Sequence, residues 1–433
     1  MLATIAPVGA LLSSTFLVLA AAGLALYLVP LRAVSEGWPT FTISLMATSY
    51  AVAFTASCFI TPHLVRRVGH VRVFGAVLAL LIISQLIHAI IVEPTAWIIA
   101  RGITGFSLAG TYMVIESWLN EKVTNENRGA MFSVYMVTTM VGLSFGQYIV
   151  PLGDPMLPTL FMISAVVFAL AVLPTSLSTA QSPQPLTVVR LDLVDLYRRS
   201  PAAVIGAFMA GLIGGIWNGL APVFATRSGL STAEGATMLV MAMIGGTVFQ
   251  YPLGRASDKM DRRRVMVFAG LIGVISCASI VIFGTGSRTV FFIGIFLLGT
   301  VLYPIYSLNV AHANDHAGPE EFVSISSGML VLYGFGAMAG PLIAGAAMEI
   351  TGPTGLFAVL GFSFLFYAFY ALWRISQREQ VPEEMRGDFQ PIVLGQESTP
   401  QGLELDPRSD PEYGLSEDLR GDQTDRDSTD QKV

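Results

Sequence analysis

"PLGRASDKMDRRR", Pro252 to Arg264, decides how this chain is read. Seven of its thirteen residues are charged, and uncharged, largely apolar stretches flank it on both sides. The 433-residue chain is 53% hydrophobic and only 12% charged, with a mean hydropathy of +0.64. A soluble domain carries about 25% charged residues. Around the cluster, apolar runs of about twenty residues recur, each long enough to cross a bilayer as a helix. A helix pairs its own backbone groups in lipid, whereas an isolated strand leaves them bare. The charged stretch is therefore a loop in a polytopic, all-α membrane protein.

Working outward, twelve spans are predicted, at 6–30, 40–61, 73–92, 95–119, 129–150, 157–176, 202–225, 234–253, 266–285, 289–310, 323–347 and 353–373. No Lys or Arg precedes the first run, which is also long for a signal peptide, so it is read as a retained span. The longest connection divides the spans six and six: a first half 1–176, a linker 177–200 and a second half 201–373. Within the linker, Val194, Leu196 and Tyr197 alternate with Arg190, Asp192, Asp195 and Arg198 at helical spacing, as in a segment lying on a membrane surface. With the N-terminus inside, the inner loops hold thirteen Lys and Arg and the outer loops only Arg32, Arg227 and Arg288. The positive-inside rule then puts both termini in the cytoplasm, in a cytoplasmic (inner) membrane. From Arg374 onward, fifteen acids and seven bases, with much Pro, Gly, Ser and Gln, predict a disordered acidic tail, 374–433. The tail is a solubilising extension or a site for a protein partner. Cys58 and Cys277 both fall in apolar runs, which disfavours a disulfide or metal site.

Three blocks repeat at nearly one offset. Asn120, Asn125, Glu126 and Gly129 align with Asn309, Asn314, Asp315 and Gly318; Gly142 and Gly146 align with Gly336 and Gly340; and "PHLVRRVGHVR", Pro62 to Arg72, aligns with the opening stretch. Three blocks in order indicate duplication of a six-helix unit. Gly254, Asp258, Lys259, Arg262 and Arg263 resemble the G-x-x-x-D-(R/K)-x-G-(R/K)-(R/K) signature of the major facilitator superfamily, with Asp261 replacing the second glycine. "YMVIESWLNE", "VAHAND" and "GPLIAG" resemble its YcaD-like branch. The resemblance covers about residues 6–375 and implies two pseudo-symmetric six-helix bundles around a cavity that opens alternately to each side.

The signature also has a physical reading. Gly254 permits close helix approach, and a carboxylate such as Asp258 is favoured at a helix N-terminus. Asp258 is expected to meet the start of the fifth span and Arg128, closing the cytoplasmic side; the alternative is an anchor to lipid headgroups. In the first-half copy Pro62 replaces the first glycine, Arg66 the acid and His70 a base, while Arg67 and Gly69 survive. The eleventh span begins with Glu320 and Glu321. A charge-swapped latch, Arg66 and Arg67 against Glu320 and Glu321, is one reading; simple favouring of that helix's own N-terminus is the other.

Ionisable groups inside spans are costly and therefore candidates for function. Arg101, near the outer end of the fourth span, and Glu116, near its inner end, lie on one face with Gly105, Ala109 and Tyr112. "RGITG" resembles the family's fourth-helix arginine motif, associated in some members with proton coupling. Glu116 is shallow enough to reach interfacial water, and His88 is read as structurally satisfied. Tyr112, Gln147, Trp217, Asn218, Tyr303, Tyr306 and Tyr333 are candidates to line the cavity, with "GGIWNG" a place where the seventh span can break. Arg101 is the only charge among them, which favours a neutral, apolar or singly anionic solute. "GLSFG" around Ser144 matches a nucleophile motif, but mid-helix rather than at a strand-to-helix elbow.

The expectation is a secondary active transporter moving a small organic solute by alternating access, coupled to protons and requiring no cofactor or nucleic acid. A non-transporting sensor with a transporter fold and a drug or metabolite efflux antiporter are the alternatives.

Overall fold

The computed structural model describes residues 8–122, 128–176, 193–315, 321–377, 389 and 399–404. The first six spans are α1 (Gly9–Ser35), α2 (Thr40–Val68), α3 (His70–Ile90), α4 (Pro94–Lys122), α5 (Arg128–Ile149) and α6 (Thr159–Leu170). The second six are α7 (Pro201–Arg227), α8 (Thr232–Lys259), α9 (Arg262–Phe283), α10 (Arg288–Leu302), α11 (Phe322–Thr351) and α12 (Gly355–Gln377). Short helices Val172–Ser176 and Pro304–Asn314 extend α6 and α10. Among the described residues, eleven spans are long and apolar enough to cross a membrane, and Thr159–Thr175 is a shorter apolar twelfth.

The duplication is visible in the packing. In the first half α1 pairs with α5, α2 with α4 and α3 with α6; in the second, α7 pairs with α11, α8 with α10 and α9 with α12. The repeated glycines explain the first of these pairings. A Cβ on Gly146 would sit 2.0 Å from the Ala20 carbonyl oxygen, and one on Gly336 would sit 2.0 Å from that of Phe208. No side chain fits there, so the backbones touch. Between lipid-solvated helices this close packing replaces the missing hydrophobic drive.

Two sequence expectations change here. "GGIWNG" does not break α7, which is continuous; the missing side chains of Gly211 and Gly215 on this helix leave room for the Tyr333 and Ala337 carbonyls of α11. The interruption falls in span ten instead, at Tyr303–Pro304, because proline starts a new helix where no N–H is needed.

The halves meet asymmetrically. Cross-half hydrogen bonds join Tyr27 Oη to the Thr232 carbonyl (2.7 Å), Arg227 Nη2 to the Trp38 carbonyl (3.1 Å) and the Thr40 N–H to Glu349 (2.9 Å). All lie on the face opposite the basic loops. From there α2 follows α11 inward through Ser44 against Gly345 and Thr48 bonded to the Met338 carbonyl, to Thr55 against Gly334. On the basic side, the short helix Pro400–Glu404 packs between the halves, against α4 and α11.

Candidate functional site

A buried charged group at the junction of the halves is Arg101. Gly105, one turn along α4, has no room for a side chain, since a Cβ would lie 2.2 Å from the Tyr50 carbonyl oxygen of α2. That backbone contact holds the Arg101 guanidinium over the Tyr50 ring, 4.7 Å from its centroid, a cation–π arrangement. Arg101 is 7% exposed, and among the described residues no carboxylate pairs with it. It lines a small cleft with Pro30 of α1, Met46 and Ala47 of α2, and Asn218 and Gly219 of α7. Both halves therefore contribute to this cleft.

Other cavity candidates separate into two groups. Asn218 joins Arg101, whereas Trp217 is buried in the core. Tyr306 and Tyr333 form an edge-to-face pair at 5.1 Å. Tyr303 packs on Gly246, and Tyr112 and Gln147 are buried. His88 Nδ1–H donates to the Ser84 carbonyl (2.6 Å), and the ring stacks on Phe161, a structural setting.

Glu116 is not at an interfacial depth open to water. It is fully buried, and Tyr135 of α5 donates a 2.9 Å hydrogen bond to its carboxylate. Thr399, from the acidic tail, donates a second. Asn120, one turn further along α4, donates to the Gln401 carbonyl at 3.0 Å. The expected disorder of the tail is thus overturned for residues 389 and 399–404, which are seated on the protein.

The loop cluster is also rearranged relative to expectation. Asp258 bonds to Arg262 within its own half (3.0 Å) and accepts the Phe389 N–H (2.9 Å); a contact with Arg128 is not among its bonds. Gly254 is overlaid by the Phe389 ring, 2.1 Å from where a Cβ would sit, instead of by a helix backbone. Arg262 forks onto Asp315 (2.7 and 3.1 Å), tying α9 to the end of the α10 extension. Arg263 clamps Asp261 (2.8 Å) and the Arg374 carbonyl (3.0 Å). Asp261, the departure from the family signature, caps α9 by accepting the Arg263 N–H. Burial alone would raise its carboxyl, but the bonds from Arg263 prevail and hold it below the usual carboxylate range. Lys259 is exposed.

Among the described residues, no ion pair of the charge-swapped latch is present. Arg66 and Arg67 are exposed and form no ion pair among the described residues, beside Gly69, whose φ of +87° permits the tight turn into α3. Glu321 pairs with Arg199 of the short linker helix Leu193–Arg199 (2.8 Å), and Glu320 lies outside the described residues. The reason is spacing: α2 and α11 touch from the far face to Thr55 and Gly334, and their basic ends lie beyond that contact. Tyr50, Tyr135, Asp315, Phe389 and Thr399 escaped sequence reasoning. Asp315 alone left a signal, as an acid at a span end aligned with Glu126.

Two halves, paired helix for helix and joined by hydrogen bonds at one face, match a known design. The sequence profile of the Major Facilitator Superfamily matches residues 11–327 and 203–399. The chain belongs to the major facilitator superfamily. Its relatives include the uncharacterized MFS-type transporter YcaD of Escherichia fergusonii, 25% identical over 82% of this chain and 92% of that protein. YcaD of Salmonella typhi is 24% identical over 86% and 96%. The fold is shared with the nucleoside transporter NupG, at a TM-score of 0.72, 16% identity and coverage of 85% and 99%. It is shared more distantly with the human organic anion transporter MFSD10, at a TM-score of 0.54, 16% identity and coverage of 84% and 98%. The protein is a multi-pass membrane protein of a transporter family, which accords with a non-enzymatic role.

Proposed function

We propose that this superfamily member is a secondary active transporter of the cytoplasmic membrane that carries a small, singly charged organic anion by alternating access, coupled to protons. The observation that carries this reading is Arg101: a buried guanidinium without a carboxylate partner among the described residues, in a cleft built by both halves. An unpaired buried charge is expensive, and an anionic solute would supply the missing counter-charge. Asn218, on the opposite half, would donate to the same solute, so binding would draw the halves together. The solved neighbours are named for nucleosides and for organic anions, and the uncompensated arginine favours the latter for this chain.

Both termini and the basic loops face the cytoplasm in this reading, so the conformation is closed to the outside. Closing the basic face would bring the α2 end toward Glu321 and the α5 start toward Asp258. Arg66 and Arg67 would then meet Glu321, and Arg128 would meet Asp258, which is the gate expected from the sequence. Glu116, on the Arg101 helix, is the proton-carrying candidate. Thermal-shift measurements with aromatic and aliphatic monocarboxylates against their neutral amides, then counterflow of the binders in proteoliposomes, test the assignment. Acids should stabilise the protein, amides should not, and Arg101→Gln should abolish the difference. Equal stabilisation by acids and amides refutes the anion site, and saturable binding without exchange makes the protein a sensor.

A further inference from the structure

We infer that the basic face between the halves is a docking site for the chain's own C-terminal segment, and that residues 389 and 399–404 are the footholds of a tethered plug that keeps this face open. The inference rests on the alternating-access reading above for its consequence, though not for the docking itself.

The docking uses two separate footholds. At the first, the Phe389 ring covers Gly254 and its N–H bonds to Asp258. Those are the two residues of the loop signature on which closure was expected to depend. While Phe389 is seated, the Asp258 oxygen that accepts its N–H is engaged, and the surface above Gly254 is filled. The second foothold lies between the halves. Thr399 is 0% exposed and donates to Glu116, while Gln401 is 1% exposed and its carbonyl accepts from Asn120. Gly402 is needed at this seat, because a Cβ there would lie 2.7 Å from a Glu116 oxygen that Tyr135 also holds. The helix that carries these groups touches α4 of one half and α11 of the other.

Each contact has a consequence for the transport cycle. A segment lodged between α4 and α11 is a wedge, since the basic ends of the halves cannot approach while it is there. The Thr399 bond also takes up Glu116, the acid best placed to exchange a proton with that side. The plug therefore opposes closure sterically and removes a proton acceptor at the same time. Because it is tethered, its effective concentration is on the order of millimolar. An intrinsically weak seat, with a Kd of about 0.1 mM, would still be roughly tenfold more occupied than empty.

The test separates docking from gating. Exposed Arg67 and Arg264 stand on opposite halves of the basic face, so spin labels at Arg67→Cys and Arg264→Cys report its opening, in a background with Cys58 and Cys277 replaced by serine. The full chain, a chain ending at Gln377 and the full chain with Gly402→Val are compared in nanodiscs, and a fluorescein-labelled peptide of residues 386–406 is titrated onto the shortened chain. Saturable peptide binding, weakened at least tenfold by Gly402→Val in the peptide, supports the seat. A shorter inter-label distance should then appear in the shortened and Gly402→Val chains, and the added peptide should reverse it in the former. Absence of peptide binding overturns the plug whatever the protein transports. Binding with unchanged distances overturns its control of the gate and counts against alternation, while the docking stands. Since Gly402 and the removed residues lie outside every span, an unaltered elution profile confirms that the variants fold.

Discussion

Replacing Asp315 by asparagine tests whether the loop signature knits one half together or bridges two. The Arg262 and Asp315 side chains are 1% and 3% exposed and joined by two hydrogen bonds at 2.7 and 3.1 Å. Removing one partner of such a buried pair costs about 3–5 kcal/mol, because the remaining charge stays desolvated. Asp258, bonded to Arg262 at 3.0 Å and itself 32% exposed, retains part of the compensation, which favours the lower end. A loss of about 3 kcal/mol in a domain of this size lowers Tm by roughly 6–12 °C. The assay is fluorescence-detected thermal unfolding of the purified protein in detergent, with variants scanned at one rate. The double variant Arg262→Met with Asp315→Leu should recover more than half of the loss, since an apolar pair restores packing without a stranded charge. An Asp315→Asn protein that melts within about a degree of the wild type would refute the clamp; a change confined to basic-face opening would make it a gate after all.

Other expectations follow from single contacts. Gly146→Ala and Gly336→Ala should destabilise similarly, by about 1–3 kcal/mol or more, because each Cβ would meet a carbonyl oxygen at 2.0 Å; Gly75→Ala, into open space, serves as the neutral control, and equal melting of all three would sink the duplicated-contact argument. Asp261→Asn keeps an N-cap acceptor but loses the charge that Arg263 stabilises. The folded carboxyl lies below its unfolded value, so its contribution is full above about pH 4 and is lost as pH falls through the folded value; the variant should melt lower than the wild type at pH 7, and the gap should hold down to about pH 4 and shrink on acidification below it. Arg199→Ala breaks a pair whose side chains are 38% and 42% exposed, worth about 0–1 kcal/mol, and should leave Tm nearly unchanged.

The sequence by itself determined the class, the count of apolar spans, the division into halves and the glycines along which helices touch. These are local or periodic properties: apolar length sets a span, and a missing Cβ permits backbone contact whichever helix arrives. Arg101 was legible for the same reason, since a charge in an apolar run stands out wherever it points. The tertiary structure decided partners. Arg262 could have faced another half, a lipid headgroup or its own bundle, and only the packing of α9 beside the α10 extension turns it onto Asp315. Glu116 reads as shallow when counted along α4, yet Tyr135 and Thr399 bury it from two other segments. The tail's composition describes a chain that cannot form its own core; it says nothing of a surface elsewhere that supplies one. Burial is a property of what comes to lie across a residue, and for Glu116, Gly254 and Asp258 that neighbour is distant in the chain.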